Sequence, residues 1–462
     1  MYRNLILALS AMLLPVVACA QGCNERIGEL MNGSRWFELE REMRNVAVRD
    51  SLDPMLCGMA ESLTDHYFNR PDSACVSLGR LLEGYQEEMG DNTLSMASLL
   101  GINLARAGHY GEAADLMQSL ADQLTACGVD STETAGYYTL VGQYREFASV
   151  GNVLKPLHGA GEYHVPMTID DDMHRAANKG REAHFAAIRG SINGIAGNFV
   201  FDTGAGVNVI SGRDTKKYGL RRLNCTIDML GVGGLQKGVY AIADTLRLGG
   251  MVWQNVPFLV VDIATGDAVA DSIGAMLEPV IGLPVMLSMG EVQMDFKNKE
   301  FVVPAKPSVN PLGHCNMMRT DSEGLCVRIA DEGGGPLYMH FDTGGYYTSM
   351  FGTWYDKHSA AVEAAGTPDS IRTAGVGGVS VTLGYRVLRM KFMLGNEWVE
   401  LDSVQVSTGI DKRSGEKETA GFSAGSGQDG AMGLDMLECF DRVIINFKDM
   451  FMVGIAPRKE EL

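Results

Sequence analysis

A chain of 462 residues that is 46% apolar and 21% charged has material for more than one packed domain. Its formal net charge of −18 excludes nucleic acid as a ligand class, because phosphate backbones are held by clustered Lys and Arg. The same acidity suits a well-solvated surface.

Arg3, the apolar run from Leu5 to Val17 and the small-x-small stretch Ala18-Cys19-Ala20 predict a signal peptide over residues 1–20. The mature chain is then exported, periplasmic or secreted. A competing reading takes Val16-Val17-Ala18-Cys19 as a lipobox, with Cys19 lipidated and the membrane a partner only in that case. The later cysteines (Cys23, Cys57, Cys75, Cys127, Cys225, Cys315, Cys326 and Cys439) show no framework spacing, so most are expected to be buried free thiols, with at most one or two disulfides. No Cys-x-x-Cys or His-Glu-x-x-His occurs, and no metal or organic cofactor is implied.

Residues 21–155 predict an α-helical repeat-like domain. Asn32 to Glu38, Phe68 to Ala74 and Gly108 to Ala114 resemble one another at intervals of about 36 to 39 residues. Each precedes an amphipathic run, clearest from Ala113 to Leu120. Leu104 to Tyr110, followed by Ala113, resembles a tetratricopeptide (TPR) turn, with a plain helical bundle as the alternative. Either could dock a protein partner.

After a Gly- and Pro-bearing linker from Leu154 to Glu162, short β-type runs alternate with Gly and Asx turns, predicting an all-β region. This region repeats internally. Phe201-Asp202-Thr203-Gly204 recurs as Phe341-Asp342-Thr343-Gly344, and Gly231-Val232-Gly233-Gly234 recurs as Gly375-Val376-Gly377-Gly378. Val280-Ile281-Gly282-Leu283 is matched by Ala431-Met432-Gly433-Leu434, and from there both copies run without gaps to Phe296 and Phe447. Two related lobes follow, over 160–306 and 307–457, with extra residues of the second placed near Lys412 to Asp429.

Apolar-apolar-Asp-Thr-Gly, then Gly-x-Gly-Gly, then apolar-apolar-Gly resembles the aspartic peptidases, particularly the retropepsin-like type, over about residues 165 to 457. The resemblance implies a two-lobed fold in one chain, as in the pepsin-like enzymes. It also implies peptide hydrolysis by water held between Asp202 and Asp342, with a peptide or protein as substrate. Two adjacent carboxylates share one proton, so one acts as base and the other as acid without metal. Thr203 and Thr343 are implied to lock the two loops, and Gly204 and Gly344 let the backbone turn closely behind each carboxylate. Residues 231–234 and 375–378 are implied flap tips over an extended substrate; a phosphate-cradle reading fails because neither completes a Gly-x-Gly-x-x-Gly turn.

The second copy departs from the family at Gly345, where Ala, Ser or Thr is usual, and this bears on the pH optimum. Tyr346-Tyr347 beside it could line a subsite or pack in the core. His340 is expected to face away from Asp342 by strand alternation. Two rival readings stand: a non-catalytic peptide-binding protein with a helical docking domain, and a lobe that pairs with a lobe of another chain.

Overall fold

The structure is a computed structural model of the chain and describes residues 22–170, 185–231, 234–261, 278–375, 378–417 and 427–457. The predicted signal peptide and Cys19 lie outside the described residues. No helix among the described residues is long and apolar enough to cross a membrane.

Helices come first: α1 (Cys23–Asn32), α2 (Trp36–Met43), α3 (Val46–Arg49), α4 (Pro54–Tyr67) and α5 (Pro71–Gly84). Then follow α6 (Gln86–Met89), α7 (Asn92–Arg106), α8 (Tyr110–Ala126) and α9 (Ser131–Val150). The three look-alike segments are the turns between paired helices. Ser34, Asn69 and Gly108 adopt positive φ (51°, 56° and 86°), and the next helix begins shortly after each. In each turn the N–H of Arg35, Arg70 or His109 donates back to the carbonyl of Leu30, Asp65 or Leu104, closing the helix end. Helix α4 starts where Pro54 follows Asp53, whose Oδ1 accepts the Met55 N–H at 3.0 Å. The amphipathic run of α8 buries Ala113, Ala114, Met117, Leu120 and Ala121.

The first half of the β region holds β1 (Lys155–Pro156), β2 (Tyr163–Asp170), β3 (Phe185–Ile192), β4 (Ile195–Phe201) and β5 (Val209–Ile210). It continues through α10 (Gly212–Lys217), β6 (Arg221–Gly231), β7 (Gly234–Leu248), β8 (Met251–Val260) and β9 (Val280–Ile281). Helix α11 (Leu283–Met289), β10 (Glu291–Asp295) and β11 (Glu300–Val303) complete it. The second half runs β12 (Met317–Arg319), β13 (Leu325–Asp331), β14 (Pro336–Phe341), β15 (Ser349–Met350), α12 (Gly352–Ala365) and β16 (Thr367–Gly375). It ends with β17 (Gly378–Leu394), β18 (Glu397–Asp411), β19 (Gly430–Met432), α13 (Leu434–Leu437), β20 (Phe440–Asn446) and β21 (Phe451–Pro457).

The internal repeat is a repeat of topology. The order β4-β9-β5-β8-β7-β6 in one sheet is matched by β14-β19-β15-β18-β17-β16 in the other. In both, the strand that ends at the Asp-Thr-Gly pairs in parallel with the strand that ends at the apolar-apolar-Gly. The halves join where β10 pairs antiparallel with β20, setting Glu291 opposite Asn446 and Asp295 opposite Arg442. Arg442 Nη2 reaches Asp295 Oδ2 at 2.5 Å across this seam. The extra residues of the second half do not lie in the segment after β18, which at 18 residues is no longer than the 19 between β8 and β9. They lie earlier, where α12 spans 14 residues against 6 in α10 and β18 spans 15 against 10 in β8. Residues 418–426 lie outside the described residues.

The helices rest on both halves. Phe37 of α2 stacks on Tyr338 of β14 at 5.9 Å, and Phe147 of α9 meets Tyr240 of β7 at 5.0 Å. Cys23, Cys57, Cys75, Cys127, Cys225, Cys315, Cys326 and Cys439 are all free thiols, so no bridge forms among them.

Candidate active site

Each Asp-Thr-Gly leaves the end of a buried strand. Phe201 and Phe341 are fully buried, and the next N–H in each copy is tied to the neighbouring parallel strand. Asp202 N donates to Ile281 O, and Asp342 N to Met432 O, both at 3.1 Å. The chain then turns, and exposure alternates identically over residues 201–210 and 341–350.

The two turns meet through their threonines. Thr203 N donates to Thr343 Oγ1 at 3.0 Å and Thr343 N to Thr203 Oγ1 at 2.9 Å. Each hydroxyl donates onward across the interface, Thr203 Oγ1 to Phe341 O at 3.1 Å and Thr343 Oγ1 to Phe201 O at 2.7 Å. Both side chains are wholly buried, so this reciprocal set leaves no hydroxyl without a partner.

That lock brings the carboxylates together, and Asp202 and Asp342 share a side-chain hydrogen bond. Each Oδ1 also accepts two backbone N–H groups of its own turn. Gly204 N and Ala205 N lie 2.8 and 3.2 Å from Asp202; Gly344 N and Gly345 N lie 2.9 and 3.1 Å from Asp342. Burial first, and then the negative charge of Asp342, raise the proton affinity of Asp202 well above the carboxylate range, against the pull of the two N–H donors. Gly204 and Gly344 are required by space. A Cβ on Gly204 would stand 2.5 Å from Asp342 Oδ1, and one on Gly344 would stand 2.5 Å from both oxygens of Asp202.

Gly345 does through its N–H what Ala205 does in the first turn, so its missing side chain does not break the cradle. Tyr346 packs against the core and meets Tyr347 edge-on at 4.9 Å. His340 is buried in β14, and its imidazole lies against the turn at Gly324; burial lowers its proton affinity.

Gly282 and Gly433 sit beneath the turns. A Cβ on Gly282 would come 2.6 Å from Ala205 O, and one on Gly433 2.7 Å from the Tyr347 carbonyl carbon. Their N–H groups are met by residues that the motifs did not single out. Asn208 Oδ1 accepts Gly282 N at 2.9 Å; Thr348 Oγ1 accepts Gly433 N at 3.1 Å and donates to Asp435 Oδ1 at 2.6 Å. Burial raises the Asp435 carboxyl to about 6 although Thr348 pulls the other way. Asn208 and Thr348 occupy the same place after each Asp, which was the available signal, but their side chains differ and the repeat hides them.

Gly231 pairs with Gly234 at the end of the β6–β7 hairpin, and Gly375 with Gly378 at the end of β16–β17. Both motifs therefore close antiparallel hairpins and open no helix, unlike a phosphate loop. Val232, Gly233, Val376 and Gly377 lie outside the described residues.

No curated relative matches the chain. The aspartyl protease family matches residues 188–285, from β3 through Asp202 and the β6–β7 hairpin into α11, and supports an aspartyl protease at the level of the family.

Proposed function

We propose that this chain is an aspartic endopeptidase of the retropepsin-like type, with both lobes (160–306 and 307–457) in one chain. The observation that carries the reading is the hydrogen bond between Asp202 and Asp342, with each Oδ1 held by two backbone donors. A pair so close retains one proton between its members. The ionised carboxylate takes a proton from water as its oxygen adds to the scissile carbonyl carbon. The protonated carboxyl gives its proton to the carbonyl oxygen, and collapse of the resulting diol expels the amine, which leaves with a proton. The Oδ1 atoms are occupied by N–H donors, so the Oδ2 atoms are the ones available for this exchange.

Further parts of the reading follow from the same layout. An extended peptide lies between the lobes, bonded strand-like and covered by the hairpins that end at residues 231–234 and 375–378. Residues 21–155 form a TPR-like helical unit that could also dock a protein. Export rests on Arg3, Leu5 to Val17 and Ala18 to Ala20. Hydrogen-bonded carboxylates favour hydrolysis over a protein that only captures peptides, for which the pair would have no reason to sit in contact.

Cleavage-site profiling on a diverse peptide library tests this reading. Internal cuts by the wild type that vanish with Asp202→Asn are expected. An unchanged product pattern in that variant would remove the dyad from the chemistry.

A further inference from the structure

Between β12 and β13 the chain makes a tight turn, Thr320 to Gly324, that touches the first catalytic loop and the strand that delivers the second. A Cβ on Gly206, four residues past Asp202, would stand 3.2 Å from the Glu323 carbonyl oxygen and 3.3 Å from its Cβ. A Cβ on Gly324 would stand 3.3 Å from Cε1 of His340, two residues before Asp342. The turn is thus a wedge with one side on the first loop and the other on β14, the strand that runs into Asp342. It is closed by Glu323 N to Thr320 O, Thr320 N to Gly324 O and Gly324 N to Thr320 Oγ1, all at 3.0 Å. Glu323 adopts φ 62°, the left-handed conformation that closes a short hairpin loop.

The side chains of the turn are tied to the helices. Arg106, at the end of α7, donates from Nη2 to Glu323 Oε1 at 2.8 Å, and its Nη1 donates to the His66 carbonyl at 3.1 Å. Tyr67, at the end of α4, donates its hydroxyl to Asp321 Oδ1 at 2.9 Å. Arg319, at the root of the turn, binds the other Glu323 oxygen and reaches Asn69 Oδ1 at 3.4 Å. Glu323 keeps 41% of its side chain exposed while Arg106 and Arg319 are nearly covered, at 11% and 5%. The guanidiniums are thus the fixed anchors and the carboxylate the part they aim. Such charge-assisted pairs in a crowded site constrain geometry more than exposed ones.

We infer that Arg106 and Tyr67 are positioning residues: through the Thr320–Gly324 turn, the helical region sets the relation between the two catalytic loops. The inference rests on the peptidase reading for its consequence in catalysis, and its geometry can be read without it. The helices thereby act as a standing part of the catalytic machinery.

Amide hydrogen exchange and peptide-cleavage kinetics on the full chain test this together. In Arg106→Ala, segments 202–208 and 338–346 are expected to exchange about tenfold faster or more, while the Glu291–Asp295 seam keeps its wild-type rate. The kcat for a library-derived peptide is expected to fall about tenfold, with KM within about twofold, and Arg106→Lys to recover part of both effects. Tyr67→Phe, which removes only a hydroxyl, moves both readouts the same way to a smaller extent and decides the matter if Arg106→Ala fails to fold. Wild-type loop exchange in a folded Arg106→Ala, or acceleration spread equally over the seam, would overturn the inference. A wild type that cleaves nothing would remove the peptidase reading, and the exchange ratio would still decide the positioning.

Discussion

Asp202 and Asp342 stand at matched places in matched turns, yet their surroundings differ by a methyl group. Ala205 fills the space beside the first turn, whereas at Gly345 a Cβ would lie 3.3 Å from Asp342 Oδ2, so that side of the second carboxylate is open. The raised proton affinity of Asp202 has a consequence for stability. A carboxyl that holds its proton more tightly folded than unfolded gives stability that is lost as pH rises from the ordinary carboxyl range through the raised value. An amide in its place has no proton to lose. Asp202→Asn is therefore expected to melt like the wild type near pH 3 and above it near pH 8, by about 1 kcal/mol or more in calorimetry. A constant difference across that range would mean that the proton affinity of Asp202 is not raised in the folded state.

At the scale of elements, the sequence carried much of the arrangement because duplication wrote it twice. The Asp-Thr-Gly, the Gly-x-Gly-Gly and the apolar-apolar-Gly are local patterns, and each marks a strand end or hairpin end in both sheets. The three helix-to-helix turns were legible for the same reason, since a positive φ at Ser34, Asn69 and Gly108 favours a recurring type of segment. The Thr320–Gly324 turn was not legible. Its meaning lies in contacts between residues far apart in the chain, such as Arg106 and Glu323, which leave no local period. Asn208, Thr348 and Asp435 were missed because the two copies solve one problem, bonding the N–H of Gly282 or Gly433, with different side chains. The close fit at Gly282 predicts that Gly282→Ala pushes on Ala205 O, costs about 1 to 3 kcal/mol in denaturant unfolding and slows cleavage. Gly136→Ala in α9 meets open space and is expected to stabilise by about 0.5 to 1 kcal/mol. Equal effects of the two would argue against the packing described beneath the first Asp-Thr-Gly turn.

On the scale of the whole molecule, three separate contacts make one working unit. The β10–β20 seam joins the halves, the reciprocal threonines join the loops, and the helices bear on both halves through Phe37, Phe147, Tyr67 and Arg106. Both carboxylates of the pair belong to one chain. The repeated Asp-Thr-Gly suggested this single-chain arrangement, while the part played by the helices required the three-dimensional contacts. The most direct measurement is the rate of cleavage of one reporter peptide by the wild type, by Asp202→Asn, by Asp342→Asn and by an equimolar mixture of the two variants. Each variant is expected to lose about a thousandfold or more in kcat/KM while keeping the wild-type fold, and the mixture to recover nothing. Full activity in either variant, or recovery on mixing, would contradict a catalytic pair built within one chain.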